Sequence, residues 1–313
     1  MRRTTRGGRT AGVRQPRNVP AAGRSSATVP RLDADIASAL RSYGAIPRTC
    51  RRVTGLPSPR SDRAAFRVRL ADGRIVKVRR ASRIAGARRY AALVRALPQL
   101  PLAPVYLREG RVVVEAWIHG VPLSARPRTY ARLAAAAAIL RALHDVRRLG
   151  RRRLVARRMS TRVFGADLSR RLAALVAAGA IGARDAERID RALATTRPAH
   201  ARVGVIHGDL CPENLVEDRA GGLHVVDNAG MRIGFLDYDL ARAWYRWSMP
   251  NGAWRAFLAC YADGDAFDPA APAPFWRLAA VIRSAHFRVV RATPAADVPL
   301  RRLRALTRRL PPR

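Results

Sequence analysis

Along residues 64–80, "AAFRVRLADGRIVKVRR", apolar Phe66, Val68 and Leu70 alternate with polar positions, Asp72-Gly73 interrupts, and the pattern resumes at Ile75. A period of two is the strand period, and Asp-Gly between two such runs predicts a tight hairpin. "APVYLREGRVVVEAWI", 103–118, predicts a second hairpin turning at Glu109-Gly110. Elsewhere the spacing changes to three and four, the helical period. "RLDADIASALRSYG" predicts a short helix with an acidic start, and 82–97 a second. Tyr130 to Val146 predicts a strong helix, and 165–195 two more broken near Gly179 to Gly182. Strand patterns return in "RVGVIHGD", "NLVED" and "LHVVDN", with a turn at Gly221-Gly222, and from Ala241 the chain reads as mainly helical. No internal repeat is visible.

The resulting layout is α+β: a small antiparallel β-rich lobe over 29–118 and a larger, mainly helical lobe over 119–313, joined near Glu115 to Gly120. A hydrophobic content of 49% can fill such a core, and no apolar run approaches the roughly 20 residues that span a bilayer. Residues 1–28 are rich in Arg, Gly, Ser, Thr and Pro and read as a basic disordered tail. An Arg-rich, acid-poor N-terminus is also the composition of a transit peptide. Three scattered cysteines, Cys50, Cys211 and Cys260, argue against a disulfide framework or a zinc site and fit a reducing, cytoplasmic setting.

The formal charge of +38 raises the question of nucleic acid. The arginines are spread along the whole chain, as a codon bias would spread them, so specific nucleic-acid binding is not expected. Weak attraction to an anionic membrane surface is easier to accommodate. One basic residue breaks the rule: of 60, only Lys77 is lysine.

Candidate chemistry lies in "VIHGDLCPENLV", residues 205–216. Asp209 and Asn214 stand five apart on a loop between two apolar strands, and Asp227 follows 18 after Asp209, at the end of "LHVVD". Phosphoryl transfer uses such a set: a carboxylate to accept the proton of the attacking hydroxyl, and a second carboxylate with a carboxamide to hold Mg²⁺ against nucleotide phosphates. "HGDLCPEN" followed by "VVDN" resembles the catalytic and metal-binding loops of the aminoglycoside phosphotransferase and choline kinase group, which shares the protein-kinase fold. The resemblance spans residues 30–290. It implies a two-lobed kinase-like fold, ATP and Mg²⁺ as cofactors, Asp209 as catalytic base, and Asn214 and Asp227 as metal ligands. It implies that Lys77 binds the α and β phosphates, where the planar fork of arginine is no substitute for a compact ammonium. "VVVEAWIHGVPL" resembles the family's hinge, so Glu115, Ala116 and Ile118 become cofactor-binding candidates, with the backbone of 116–118 beside adenine.

Spacing favours Asp227 as metal ligand over Asp237 and Asp239, since "YDLA" at Asp239 resembles the family's Tyr-Asp-Leu-Ala, whose Asp braces the catalytic loop. His207 reads as a loop-shaping residue, Cys211 as an inert thiol and Asn228 as a turn cap. The chain departs from the family in two places. "TGLPSPRSDRAAF", 54–66, has one glycine where a phosphate loop is expected, and no acid stands on the helix after Lys77 to pair with it. The Lys-Glu ion pair is therefore expected to be absent.

Sixty-two residues separate His144 from His207, an insertion typical of the small-molecule enzymes, and Gly208 stands where a protein kinase has arginine. Regulation by a phosphorylated activation loop is not expected. After Asp268 the only acid is Asp297. A polycationic acceptor is thus disfavoured, and a neutral or anionic hydroxyl compound, such as a sugar or glycolipid, is expected. The alternative is a catalytically weak kinase-fold protein binding a polyanion or membrane surface, motivated by the unpaired lysine and the charge.

Overall fold

The structure, a computed structural model, describes residues 33–53, 64–146, 148–149, 152–153, 158–262, 274–290 and 296–310. The tail expected over 1–28, most of the phosphate-loop stretch and Asp268 lie outside the described residues.

The first lobe is built on a five-stranded antiparallel sheet. In chain order its elements are α1 (Ala34–Ser42), β1 (Pro47–Arg52), β2 (Ala64–Leu70), β3 (Ile75–Arg80), α2 (Ile84–Arg95), β4 (Val105–Glu109) and β5 (Val112–Ala116). The strand order is β1-β2-β3-β5-β4. Both predicted hairpins form, turning through Gly73 and Gly110 at positive φ. Strand alternation divides the sheet into two faces. Val68, Val76, Val78, Val112 and Val114 pack with Ile36 and Leu40 of α1. Val113 points the other way and joins Ala87, Tyr90 and Val94 of α2. Lys77 and Glu115 share the parity of Val113 and therefore the α2 face.

Strand β1 was not anticipated from sequence. "PRTCRR" buries only Cys50, and it is recruited as an edge by pairing with β2.

A single chain crossing carries the fold into the second lobe. β6 (Val121–Pro122) adds itself to a small sheet, order β12-β11-β6, containing β11 (Leu215–Glu217) and β12 (Leu223–Val225). Pro101 O accepts from Val225 N at 2.7 Å, and Ala103 N donates to Val225 O at 3.2 Å. These bonds fix the hairpin that precedes Asp227 to the loop before β4.

The helical lobe contains α3 (Tyr130–His144), the short strands β7 (Arg148–Leu149), β8 (Arg152–Arg153) and β9 (Arg158–Ser160), then α4 (Arg162–Ala177), α5 (Ala183–Thr196) and β10 (His200–Ile206). After β12 follow β13 (Arg232–Phe235), α6 (Leu236–Trp247), α7 (Asn251–Ala262), α8 (Pro274–Val290) and α9 (Asp297–Arg308). The break between α4 and α5 falls where predicted. β13, like the short strands β6 to β9, was not anticipated: four residues with two glycine or arginine positions carry little alternation, yet they pair with β10 from Val203↔Phe235 to Ile206↔Arg232. One core joins α2, α3 and α7 beneath the first lobe. A second is formed by α4, α5, α6, α8 and α9 and centred on Phe164, Phe235, Phe275 and Trp276. Among the described residues no helix is long and apolar enough to cross a membrane.

Gly120, at the crossing, is held so close to β11 that a Cβ would stand 2.2 Å from Glu217 O and 2.7 Å from Val216 Cγ1. Backbone cannot yield as a side chain does. Gly120→Ala should lower unfolding stability by about 1–3 kcal/mol, measured by urea titration, whereas alanine at Gly252, which meets nothing within 4 Å, should not.

Candidate active site

The β3–β5 register sets Lys77 directly opposite Glu115. Lys77 Nζ lies 3.0 Å from Glu115 Oε1, with the lysine side chain 17% and the glutamate 2% exposed. The expectation that Lys77 lacks an acid partner is thus corrected: the glutamate comes from the neighbouring strand instead of the following helix. A cross-strand pair needs no helical acid, because opposed residues on one face already bring their side chains together. On α2 the residue facing this pair is Tyr90, whose hydroxyl donates to Glu115 Oε2. Burial first, then the Glu115 charge, raises the Tyr90 hydroxyl well above its usual value, and Asp227 adds to this while Arg79 opposes it. The phenol remains a donor, with the Arg79 guanidinium 5.2 Å above its ring. Glu115 therefore meets the cleft through Lys77, its own carboxylate being buried beneath.

The catalytic-loop candidates follow β10 directly. Asp239, 1% exposed on α6, accepts from His207 N (2.7 Å) through Oδ2 and from Gly208 N (2.7 Å) through Oδ1. His144 Nε2 of α3 is 3.3 Å from Oδ2, and His144 Nδ1 is 2.8 Å from the Tyr261 hydroxyl of α7. Burial would raise the Asp239 carboxyl, but the hydrogen bond and charge of His144 and the His207 N–H outweigh it and hold it below the usual range. The brace expected for Asp239 is in place. Trp247 Nε1 donates to Leu210 O at 3.0 Å and Arg242 Nε to Gly208 O at 3.2 Å, so α6 holds the loop's carbonyls as well.

His207, fully buried, accepts from Asp209 N at Nδ1 (3.2 Å), which leaves Nε2–H to donate to Asn228 Oδ1 (3.2 Å). Asn228 Nδ2 donates to Val225 O at 3.1 Å. Asn228 does more than cap a turn: through the neutral His207 it ties the Asp227 segment to the Asp209 segment. Gly230 allows that approach, since a Cβ there would stand 2.8 Å from His207 O. Asp227 itself has φ +56°, a left-handed conformation uncommon outside glycine and tolerated by Asp better than by most residues.

Asn214 O accepts from Val226 N at 2.9 Å, and Leu215 pairs with Val225, so the β11–β12 hairpin brings Asn214 beside the chain leading into Asp227. Asn214 Nδ2 donates to Asp209 O at 2.9 Å, leaving the carboxamide oxygen as the end suited to a hard cation. Among the described residues no group of three or more His, Cys, Asp or Glu could hold a metal. One carboxylate with one carboxamide fits Mg²⁺ completed by phosphate oxygens, and does not fit a metal held by protein alone.

Lys77, Asp209 and Asp227 line one open cleft of about 1070 Å³ between the lobes. Ala116 and Ile118 stand at and beyond the end of β5, outside that lining, and the Ala116 N–H donates to Pro104 O at 2.9 Å. Asp209 Oδ1 accepts from Arg242 Nη2 at 2.6 Å and lies 3.2 Å from Arg246 Nε, both one turn apart on α6. Tyr90, Arg242 and Arg246 were missed from sequence, and Asn228 was read only as a turn cap. Only the two arginines left a signal, at three and seven residues after Asp239 on a helix that must face the loop it braces.

The Cys211 thiol is pushed up to about 12, chiefly by burial and then by the Asp209 charge, with Arg246 opposing. Burial also raises Cys50. Iodoacetamide at pH 8 should therefore label half-buried Cys260 in the folded protein and spare Cys50 and Cys211 until denaturant is added, as peptide mass mapping can show. Asp239→Asn turns an acceptor of several buried donors into a partial donor and should lower stability by about 3 kcal/mol. The folded Asp239 carboxyl lies below its unfolded value of about 3.9. Its contribution is thus complete above that pH and fades as pH falls through the folded value. The gap between wild type and variant should be constant near neutrality and shrink below about pH 4.

The chain was compared with known proteins. The model of the "Phosphotransferase enzyme family" matches residues 21–275. Aminoglycoside-3'-phosphotransferase of type VIII is 26% identical, with TM-score 0.55 over 79% of this chain and 98% of that one. Choline kinase from Cryptosporidium parvum Iowa II is 11% identical, with TM-score 0.61 over 85% and 90% of the respective chains. ADP-bound aminoglycoside phosphotransferase APH(2'')-Ib is 14% identical, with TM-score 0.62 over 88% and 97%. No curated protein matches closely enough to count as a relative. With a family match across most of the chain and the two-lobed kinase-like fold, the protein belongs to the phosphotransferase enzyme family and is a phosphotransferase acting on hydroxyl groups.

Proposed function

We propose that this protein is an ATP- and Mg²⁺-dependent kinase that transfers the γ-phosphate to a hydroxyl of a neutral or anionic small molecule, such as a sugar or glycolipid. The observation that carries the proposal is the buried Lys77–Glu115 pair facing Asp209 and Asp227 across one cleft. In this reading the Lys77 ammonium meets the α and β phosphates, and adenine lies along the backbone of 116–118. Asn214 and Asp227 hold Mg²⁺, which when bound offsets the negative charge of the phosphate oxygens.

The acceptor oxygen attacks the γ-phosphorus. Its O–P bond forms, the bond from γ-phosphorus to the β–γ bridging oxygen breaks, and ADP leaves. The hydroxyl proton passes to Asp209. Both guanidinium contacts fall on Asp209 Oδ1, so the proton is assigned to Oδ2. Arg242 and Arg246 keep the carboxylate in place, which matters because the protein's part in phosphoryl transfer is mostly positioning.

The alternative of a catalytically weak polyanion-binding protein drew its support from the net charge of +38 and from a lysine without an acid, and it is the second of these that bears on catalysis. Glu115 removes that support.

The test combines turnover and binding. ATP with Mg²⁺ should raise the melting temperature of the wild type. Asp209→Ala should keep that rise while ADP release in an acceptor screen falls by about 10²-fold or more. Asp227→Ala should lose the Mg²⁺-dependent part of the rise. Full turnover in Asp209→Ala would sink the assignment of the base.

A further inference from the structure

The cleft is strongly unbalanced in charge. Asp209 and Asp227 are the only acids that line it among the described residues. On the helical-lobe side stand six guanidiniums: Arg171 from α4, Arg232 from β13, Arg242 and Arg246 from α6, and Arg283 and Arg288 from α8. Two of the acids nearby are shared, and a third, Glu213, lies 3.7 Å from Arg246 Nη2. Asp167 Oδ2 takes Arg171 Nε at 2.8 Å and Arg283 Nη1 at 2.6 Å, while its other oxygen lies 3.7 Å from Arg170. Asp209 Oδ1 serves both Arg242 and Arg246. The guanidiniums also act on one another. Burial first lowers Arg232 from its usual value, Tyr238 and Asp239 oppose this, and the Arg283 and Arg242 charges lower it further.

Arginine is everywhere in this chain, so number alone decides nothing. Convergence does. On an open surface, guanidiniums can turn away from one another into water. Here α4, α6, α8 and β13 aim theirs at one partly desolvated volume, where like charges repel more strongly than in water. Such an arrangement is complementary to an anion, and the planar fork of arginine matches a phosphate or carboxylate in two-point contact. The nucleotide does not account for it. In the proposed reading, the nucleotide phosphates are met by Lys77 on the opposite lobe, where Arg79, Arg80, Arg83 and Arg89 also line the cleft, while the six helical-lobe arginines stand on the side of Asp209, the group that meets the acceptor, with Arg242 and Arg246 in contact with it. Ser284, which accepts from Arg242 Nη1, and exposed Phe287 line the same side, giving a wall with polar and apolar parts.

We propose that the α6/α8 face of the cleft is an oxyanion subsite and that the acceptor is an acid, bearing a phosphate ester or a carboxylate besides the hydroxyl that is phosphorylated. This rests on the kinase reading above and narrows it. A cationic acceptor is excluded by the same charges.

The experiment uses skeleton-matched probes on the full chain with the nucleotide site filled by ADP and Mg²⁺. Glucose, glucose 6-phosphate, glucuronate and glucosamine form one set, and a nucleoside with its 5'-monophosphate a second. Apparent affinity is read by thermal shift, and ADP release is measured in parallel with ATP. An anionic member should bind at least about tenfold more tightly than its neutral parent. The phosphate and carboxylate arms show which acid is preferred. Arg283→Ala and, separately, Arg288→Gln should each remove most of that preference while leaving the KM for ATP within about twofold. Two variants are needed because Arg283 also packs over Phe164 and Tyr238 and pairs with Asp167. Arg255→Ala, exposed on α7 away from the cleft, should change nothing and controls for the overall charge. The proposal is overturned if glucosamine or a neutral parent binds best, if no anion binds better than its parent, or if the preference survives both cleft variants. Failure of ADP and Mg²⁺ to stabilise the wild type would overturn the kinase reading itself. Stabilisation by ADP and Mg²⁺ without any anion preference would overturn only the subsite.

Discussion

Asp239 gives one oxygen to the N–H of His207 and the other to the N–H of Gly208, from a position almost completely closed to water. Two successive backbone donors fixed by one carboxylate leave the loop little freedom. The direction in which Asp209 leaves the chain is set there. The same contacts decide the protonation of His207: with Nδ1 accepting from Asp209 N, only Nε2 carries hydrogen, and that hydrogen reaches Asn228. The segments bearing Asp209 and Asp227 are thereby tied through one neutral imidazole. His144 and Tyr261 extend the brace into α3 and α7, whose packing forms the core beneath the first lobe. A buried carboxylate with this many charge-assisted donors is stabilising, and removing its charge leaves several donors unsatisfied at once.

The Lys77–Glu115 pair solves a different problem. A buried glutamate beside a single ammonium repays its desolvation only if its remaining lone pairs are also satisfied. Tyr90 does this from α2, and its own raised hydroxyl keeps it a donor. The pair therefore depends on a helix packing against the sheet, so the position of Lys77 in the cleft is coupled to the seating of α2. In a chain where nearly every other cation is arginine, the one lysine sits where a compact charge fits between a strand-borne carboxylate and the open cleft. A fork of five donors would need more acceptors than Glu115 offers.

Much of this was legible along the chain. The Asp-Gly and Glu-Gly hairpins and the α4–α5 break are local signals, and the structure forms each of those elements as read; the Asp209–Asn214–Asp227 spacing is a local signal too, and the β11–β12 hairpin brings Asn214 beside the chain leading into Asp227. What was not legible depends on pairing across the fold. β1 and β13 have almost no alternation of their own and become strands because β2 and β10 offer them an edge. Glu115 was taken for a hinge residue because "VVVEAWIHGVPL" resembles the family's hinge, yet its parity with Val113 already placed it on the α2 face. Only the β3–β5 register, which joins strands separated by α2 and β4, sets it against Lys77. Looking for the acid on the next helix alone made the site look incomplete.

Residues of the catalytic machinery and the arginine-rich wall are not independent. Asp209 shares one oxygen with Arg242 and Arg246, and Arg242 also holds Gly208 O, so the base candidate and the basic face are parts of one rigid unit on α6. Two guanidiniums beside the carboxylate hold it in one orientation. Such an arrangement suits a reaction in which the proton moves late and charge on the transferred group is the main burden, as in a loose phosphoryl transfer. It also gives the wall a second consequence. Arg242 bonds both Asp209 and Ser284 of α8, so an acid seated against Arg283 and Arg288 would be held by the same unit that orients the base, and filling the subsite would place the acceptor hydroxyl relative to Asp209. A neutral acceptor would lack that anchor, and on this physical ground the same arginines that bind an acid would also favour its turnover.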